Sequence, residues 1–330
     1  VLKVKIIKTD DPSFKSFLHD LVMVSSKAEM NIDIVNSAKE ICENVIKYGD
    51  KSIIEYTNRF DRVAITSIEQ IKVTCQEIDD AYKQLDRKVI DALEIAAKRI
   101  ELYHKKQMPT DIDYKDDIGV RLGNIWKPIK NVGIYVPGGT ASYPSSVLMN
   151  AIPAKVAGVD NIVMVVPAPD GKISSAVLVA AKIAGVKKIY KIGGAQAIAA
   201  LAIGTDSIEK VDLIVGPGNA YVAAAKRYFS GYVGIDMIAG PSEILIISDN
   251  KNDPMWIAAD LLSQAEHDVN ARSILITDDE KYADLVAKSV DEILKDLDRK
   301  EIAKVSWKNN GAIIIVPSLN SDAVDLIDAI

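Results

Sequence analysis

Gln264 and His267 lie three residues apart in PMWIAADLLSQAEHD, Pro254 to Asp268, the one stretch that sets a histidine among other potential ligands on an expected helix. That spacing gives both side chains one helical face near the C-terminal end. A divalent metal could be held there, although zinc takes about four ligands and amide oxygens are uncommon among them. The plainer account is a surface glutamine and a histidine favoured by the helix dipole, and spacing alone does not overturn it. The helix that positions the pair has clear signals. Asp253 suits the N-cap and Pro254 the first turn, and Met255, Ile257, Ala258, Leu261, Leu262 and Ala265 form the expected buried stripe.

Four further stretches are rich in glycine and small polar residues: YVPGGT (135 to 140), GGAQ (193 to 196), GPGN (216 to 219) and AGPSE (239 to 243). Glycine permits close backbone approach, and a following helix offers N–H groups to a phosphate. Singly, each reads as a tight strand-to-helix turn; together they mark a shared crevice suited to a diphosphate-bearing cofactor. Within them Tyr135 could stack on or hydrogen-bond a cofactor, Gln196 and Asn219 could donate amide hydrogen bonds, and Ser242 could reach a small polar substrate. Neither the G-x-G-x-x-G fingerprint nor the G-x-x-x-x-G-K-[ST] loop occurs.

The elements around these loops read as α/β. Strands are expected at 132 to 136, 161 to 166, 187 to 192 and 212 to 215, then at 243 to 249, 272 to 278 and 311 to 317, with helices between them. Short, nearly continuous apolar strands alternating with helices indicate parallel sheets covered on both faces. The expected fold is two Rossmann-like parallel-sheet units with an N-terminal mainly helical region, the second unit breaking off after its third strand. The expected boundaries are 1–127 for the helical region, packing on the second α/β unit; 128–240 for the first, cofactor-binding unit; and 241–330 for the second. Inside the helical region, one helix is expected over Ile32 to Tyr48 and another over Glu77 to Lys105, with a short hairpin over Ile118 to Ile129.

With 330 residues, 48% hydrophobic and 26% charged, the chain has the composition of a globular protein of more than one domain. Its net charge of -6 and dispersed basic residues argue against nucleic acid as a partner. No run reaches the about 18 apolar residues of a bilayer span, and the opening VLKVKIIKTDDPS has no signal-peptide core, so a cytoplasmic protein off the membrane is expected. Cys42 and Cys75, the only cysteines, read as small core residues, and His19 and His104 as surface or structural residues.

Beyond these separate readings, GIYVPGGTASYPSSVLMNAIPAKVAG, IGGAQAIAALAIGT, VDLIVGPGNAYVAAAKR, IDMIAGPSEILII and DLLSQAEHD resemble, in order and spacing, the histidinol dehydrogenase family. These are NAD-dependent enzymes that end histidine biosynthesis. Weaker similarity, including EYTNRFD and ELYHKKQ, extends it over essentially the whole chain. The resemblance implies that Tyr135, Gln196 and Asn219 contact NAD, that Ser242 contacts L-histidinol, and that Gln264 and His267 ligate zinc and lie against substrate. It also implies a homodimer and two successive hydride transfers through an enzyme-held aldehyde to L-histidine.

The chain opens on Val1 and stops at Ile330 inside a helical pattern. In the family, the acid/base Glu-His pair, the remaining aspartate and histidine zinc ligands and a C-terminal tail that contributes to the partner subunit's site follow that point. No catalytic residue is therefore expected within these residues, and the 330-residue polypeptide is expected to hold zinc poorly and to be inactive alone. The alternative is a non-catalytic dinucleotide-binding homologue acting as a binding module, which intact mass or gene length would distinguish.

Overall fold

The computed structural model describes residues 4–29, 31–138, 142–238, 240 and 242–330. Two compact units emerge, one of Ile32–Ala239 and one of Val1–Asn31 with Gly240–Ile330. The second thus contains the first elements of the chain, β1 (Lys5–Lys8) and α1 (Phe14–Glu29).

The unit Ile32–Ala239 opens with four helices: α2 (Ile32–Tyr48), α3 (Asp50–Asp61), α4 (Cys75–Gln84) and α5 (Arg87–Lys105). α2 has the expected bounds. The single helix expected over Glu77 to Lys105 is instead α4 and α5, because Leu85 is extended and Asp86 caps a new helix, its carboxylate accepting from the Lys88 N–H at 2.7 Å. Next comes the antiparallel hairpin β2 (Ile112–Lys115) and β3 (Arg121–Asn124). It lies earlier than expected, and only its second strand falls within Ile118 to Ile129. Asp116 fixes the turn by accepting from the N–H groups of Ile118 and Val120.

The sheet follows as β4 (Asn131–Tyr135), α6 (Pro144–Val156), β5 (Asn161–Val165), α7 (Ser175–Ala184), β6 (Lys188–Tyr190), α8 (Gly194–Ile203), β7 (Leu213–Val215), α9 (Ala220–Phe229) and β8 (Gly234–Ile235). All pairings are parallel and the order is β6-β5-β4-β7-β8. α8 explains why the N-terminal helices belong here. Every residue from Ala195 to Ala202 is buried, so the helix needs cover on the side away from the sheet. Ala38, Ile41, Cys42 and Val45 of α2 and Ile53 of α3 join α8 and α9 in one core cluster on that side. Ile90, Leu93 and Ala97 of α5 join α6 and α7 in the other cluster. The expectation that residues 1–127 pack as one region on the second unit is therefore corrected: α2 to α5 complete the first.

The other unit continues with β9 (Glu243–Ile247), α10 (Pro254–Ala265), β10 (Arg272–Thr277), α11 (Glu280–Ile293), α12 (Lys300–Asn310), β11 (Ala312–Ile315) and α13 (Asp322–Ala329). The three expected strands are present, and a fourth joins them from the start of the chain. β1 pairs parallel with β11, Lys5 opposite Ala312, giving the order β1-β11-β10-β9. A four-residue Lys-Ile-Ile-Lys segment carries too little pattern to announce a strand. One face of this sheet is covered by α10, α11 and α12, the other by α1 and α13. Of the cysteines, Cys42 is buried and Cys75, at the start of α4, is exposed, which corrects its expected core placement. Among the described residues no helix is long and apolar enough to cross a membrane.

Candidate functional site

The strand order of the larger sheet reverses at β4: β5 and β6 lie to one side, β7 and β8 to the other. Open α/β sheets bind ligands in the crevice beyond the carboxyl ends of the strands at such a reversal. A cleft of about 630 Å³ lies there, within the range of small-molecule sites. It is lined by Tyr135 at the end of β4 and Gly138 after it, Pro167 after β5, Gly193 to Gln196 after β6, and Gly218 and Asn219 after β7. Three residues singled out in the sequence, Tyr135, Gln196 and Asn219, thus meet in one cleft. Gly139 and Thr140 of YVPGGT lie outside the described residues, as do Ala239 and Pro241 of AGPSE.

Each of the three side chains is held in a different way. The Tyr135 ring is buried and its hydroxyl accepts from the Gly194 N–H at 3.1 Å, fixing the start of α8 against β4. Burial pushes its hydroxyl up to about 12, so it stays protonated as a hydrogen-bonding group. Asn219 caps α9, its Oδ1 accepting from the N–H groups of Tyr221 and Val222, both at 3.1 Å. Its acceptor is thereby used, and its amide NH₂ is the group offered to a ligand. Gln196, in the first turn of α8, is only 2% exposed, and its Oε1 has no hydrogen-bond partner. Leaving a buried polar atom unpaired costs about 1–3 kcal/mol, so an amide oriented into a cleft this way fits a ligand that supplies the missing partner. Gly193 gives α8 no side-chain cap, so α8 rather than α9 is the helix start suited to a phosphate.

The loop after β7 depends on Gly216, at φ 108°, where a Cβ would run into the Tyr135 carbonyl oxygen. It is held by a buried lysine and a partly exposed aspartate that sequence reasoning missed. Lys226 Nζ donates to the Gly216 carbonyl at 2.6 Å and to Asp236 Oδ1 at 2.7 Å, while Asp236 Oδ2 accepts from the Gly216 N–H at 2.8 Å. A lysine inside a helical pattern gives no signal that it is buried. The other wall of the cleft also escaped the residue-by-residue reading. Tyr56, Arg59, Phe60 and Asp61 line it from α3. Tyr56 and Phe60 stack with centroids 5.8 Å apart, and the Arg59 guanidinium sits 5.4 Å from the Phe60 ring centre. All four belong to EYTNRFD, so that stretch was the available signal, but nothing in it gave the residues a role.

Ser242, Gln264 and His267 belong to the other unit, at the opposite kind of sheet edge. Ser242 immediately precedes β9, and its carbonyl accepts from the N–H of Arg272, the first residue of β10. α10 ends at Ala265, before His267, so the two candidate ligands are not both within the regular helix. The chain turns through Glu266, and the His267 N–H donates to the Gln264 carbonyl at 3.1 Å, which keeps the residues one tight turn apart. The stripe of α10 is buried as expected at Ile257, Ala258, Leu261, Leu262 and Ala265, whereas Met255 is exposed. All three candidate residues thus lie toward the amino-terminal edge of their sheet, where a parallel α/β sheet seldom binds its ligand. Gln264 Nε2 is buried without a partner, and His267 is exposed with its carbonyl held by Arg299 at 3.3 Å. Since amide oxygen and nitrogen are interchangeable in placement, Gln264 fits an oxygen ligand and His267 an imidazole ligand. Among the described residues, no group of three or more His, Cys, Asp or Glu could hold a metal, so this corner supplies two donors.

The family model for histidinol dehydrogenase matches residues 24–330. The chain belongs to the histidinol dehydrogenase family. Among similar relatives, the histidinol dehydrogenase of Agrobacterium fabrum is 56% identical over 307 residues, covering 93% of this chain and 71% of its own. That of Brucella melitensis is 53% identical over 327 residues, covering 99% of this chain and 75% of its own. The crystal structure of histidinol dehydrogenase from Elizabethkingia anophelis superposes with a TM-score of 0.86 at 35% identity, covering 98% of this chain and 73% of that one. As a member of the histidinol dehydrogenase family the chain is an NAD-dependent oxidoreductase of histidine biosynthesis.

Proposed function

We propose that the enzyme oxidises L-histidinol to L-histidine in two steps through a held aldehyde, with the unit Ile32–Ala239 binding NAD and the corner at Gln264 and His267 holding zinc. One observation carries the cofactor reading: Tyr135, Gln196 and Asn219, from three separate strand ends, line one cleft where the strand order reverses. In it Gln196 and Asn219 offer amide groups, Tyr135 sets the start of α8, and that helix begins without a side-chain cap, which suits it to a phosphate. The nicotinamide, when bound, supplies the hydride acceptor.

Gln264, through its amide oxygen, and His267, through its imidazole, would hold the zinc, which supplies a template for orienting the substrate. Ser242 provides a hydroxyl for a polar group of the substrate. Two donors fall short of the about four that zinc takes, so this reading requires further ligands beside Gln264 and His267. We also propose that the enzyme is a homodimer. Residues along the hairpin support this by their exposure, among them Ile118 at 86%, Ile125 and Trp126.

The decisive experiment for the cleft is Gln196→Ala in the enzyme as encoded, with NADH binding followed by nucleotide fluorescence. Losing one amide contact is expected to weaken binding by about tenfold; unchanged affinity would place the dinucleotide elsewhere.

A further inference from the structure

The sequence offers no acidic residue at the spacing from a glycine fingerprint that would mark a ribose contact. In a dinucleotide fold of this kind that acid stands about 20 residues beyond the glycine turn, which brings it to the end of the second strand. Here the second strand of the sheet is β5, and the one acid in the loop that follows it is Asp170. Asp170 is taken: Arg62 grips it with two hydrogen bonds, 3.0 Å from Nε and 2.8 Å from Nη2, on the exposed surface. It does not line the 630 Å³ cleft.

Another carboxylate does line the cleft at this strand end. Asp61, the last residue of α3, is buried, and its Oδ2 accepts from the N–H of Ala168 in the same loop after β5, at 3.1 Å. The long-range contact carries an acid from the N-terminal helices to the position that the sheet's own loop leaves vacant. With one oxygen bound to the backbone, the other remains for a ligand hydroxyl.

We propose that Asp61 reads the adenosine ribose of the bound dinucleotide and sets the preference for NAD over its 2′-phosphorylated form. This rests on the cofactor reading of the cleft. A carboxylate accepts a hydrogen bond from a ribose 2′-hydroxyl, whereas a 2′-phosphate brings like charge against it in a site with little water to screen it. Burial already raises the Asp61 carboxyl above its ordinary value, opposed by the Ala168 N–H and the Arg62 charge, so the site holds this charge at a cost. A purely structural tether to Ala168 needs an acceptor oxygen but not a charge.

That difference decides the test. Asp61→Asn retains an acceptor for Ala168 and removes the charge, and Asp61→Ser serves as a second variant should the first fold poorly. NADH and NADPH dissociation constants are measured on each variant of the enzyme as encoded, by nucleotide fluorescence, and compared as a ratio, which misfolded protein does not alter. The ratio of NADPH to NADH dissociation constants is expected to fall by about tenfold or more, the loss for NADH reflecting a hydrogen bond to a charged acceptor. A parallel weakening of both nucleotides, or no change in either, would overturn the inference and leave Asp61 a positioning residue for the loop after β5. If Gln196→Ala also leaves NADH binding intact, the cofactor reading itself has failed. If Gln196→Ala weakens binding while the Asp61 ratio stays fixed, only the ribose assignment is lost.

Discussion

Replacing Lys226 with methionine keeps the aliphatic stem and removes the ammonium that clamps the loop after β7. Two hydrogen bonds disappear, to the Gly216 carbonyl at 2.6 Å and to Asp236 at 2.7 Å. The Lys226 side chain is 4% exposed and that of Asp236 29%, so the methionine finds an apolar environment but the carboxylate is left without its cation. Breaking one side of a buried pair costs about 3–5 kcal/mol, and water reaching the partly exposed Asp236 places this case near 3 kcal/mol. For a unit of this size each kcal/mol lowers Tm by about 2–4 °C, so a fall of roughly 6–12 °C is expected for the transition of Ile32–Ala239. Scanning calorimetry measures it. Because the same loop presents Asn219 to the cleft, NADH affinity should fall as well, and adding Asp236→Leu should recover part of the stability by removing the stranded charge. A Lys226→Met enzyme melting within about 1 °C of the parent, with unchanged NADH affinity, would refute both the energetic weight of the pair and its role in shaping the cleft.

In the enzyme as encoded, His267→Ala is expected to lower zinc content, measured by plasma mass spectrometry, well below one per subunit and to abolish histidinol-dependent NADH formation; full zinc and unchanged turnover would remove His267 from the ligand set. For the proposed dimer, sedimentation velocity should give twice the subunit mass, and Ile125→Ser with Trp126→Ser should shift it toward monomer; a monomeric parent enzyme would end that reading.

Seven strands of the two sheets, all but β1 and the two-residue β8, were legible because buried parallel strands are short runs of apolar residues bounded by glycine and polar turns, as in NVGIY, NIVMV and RSILIT. The α10 stripe was legible from its helical spacing. β1 was not: four residues with lysine at both ends become a strand only because β11 presents a free edge to them. Nor was the break between α4 and α5, where the apolar period runs on past Asp86 and the cap decides. In the candidate site, Tyr135, Gln196 and Asn219 stood out because glycine-rich turns surround them. Asp61 and Lys226 did not, since their significance lies in partners 107 and 10 residues away in sequence, the Ala168 N–H and Asp236.

The sequence by itself determined the alternation of strand and helix, the glycine turns, and the residue types that could hold a dinucleotide and a metal. These are local properties, set by side-chain period and backbone freedom. Only the tertiary structure decided that α2 to α5 cover the first sheet and that Asp61 reaches the end of β5. It alone also showed Gln196 buried with an unpaired oxygen. Such features depend on which distant surfaces exclude water from one another, and α8, buried along its length, imposes that requirement without naming the helix that meets it.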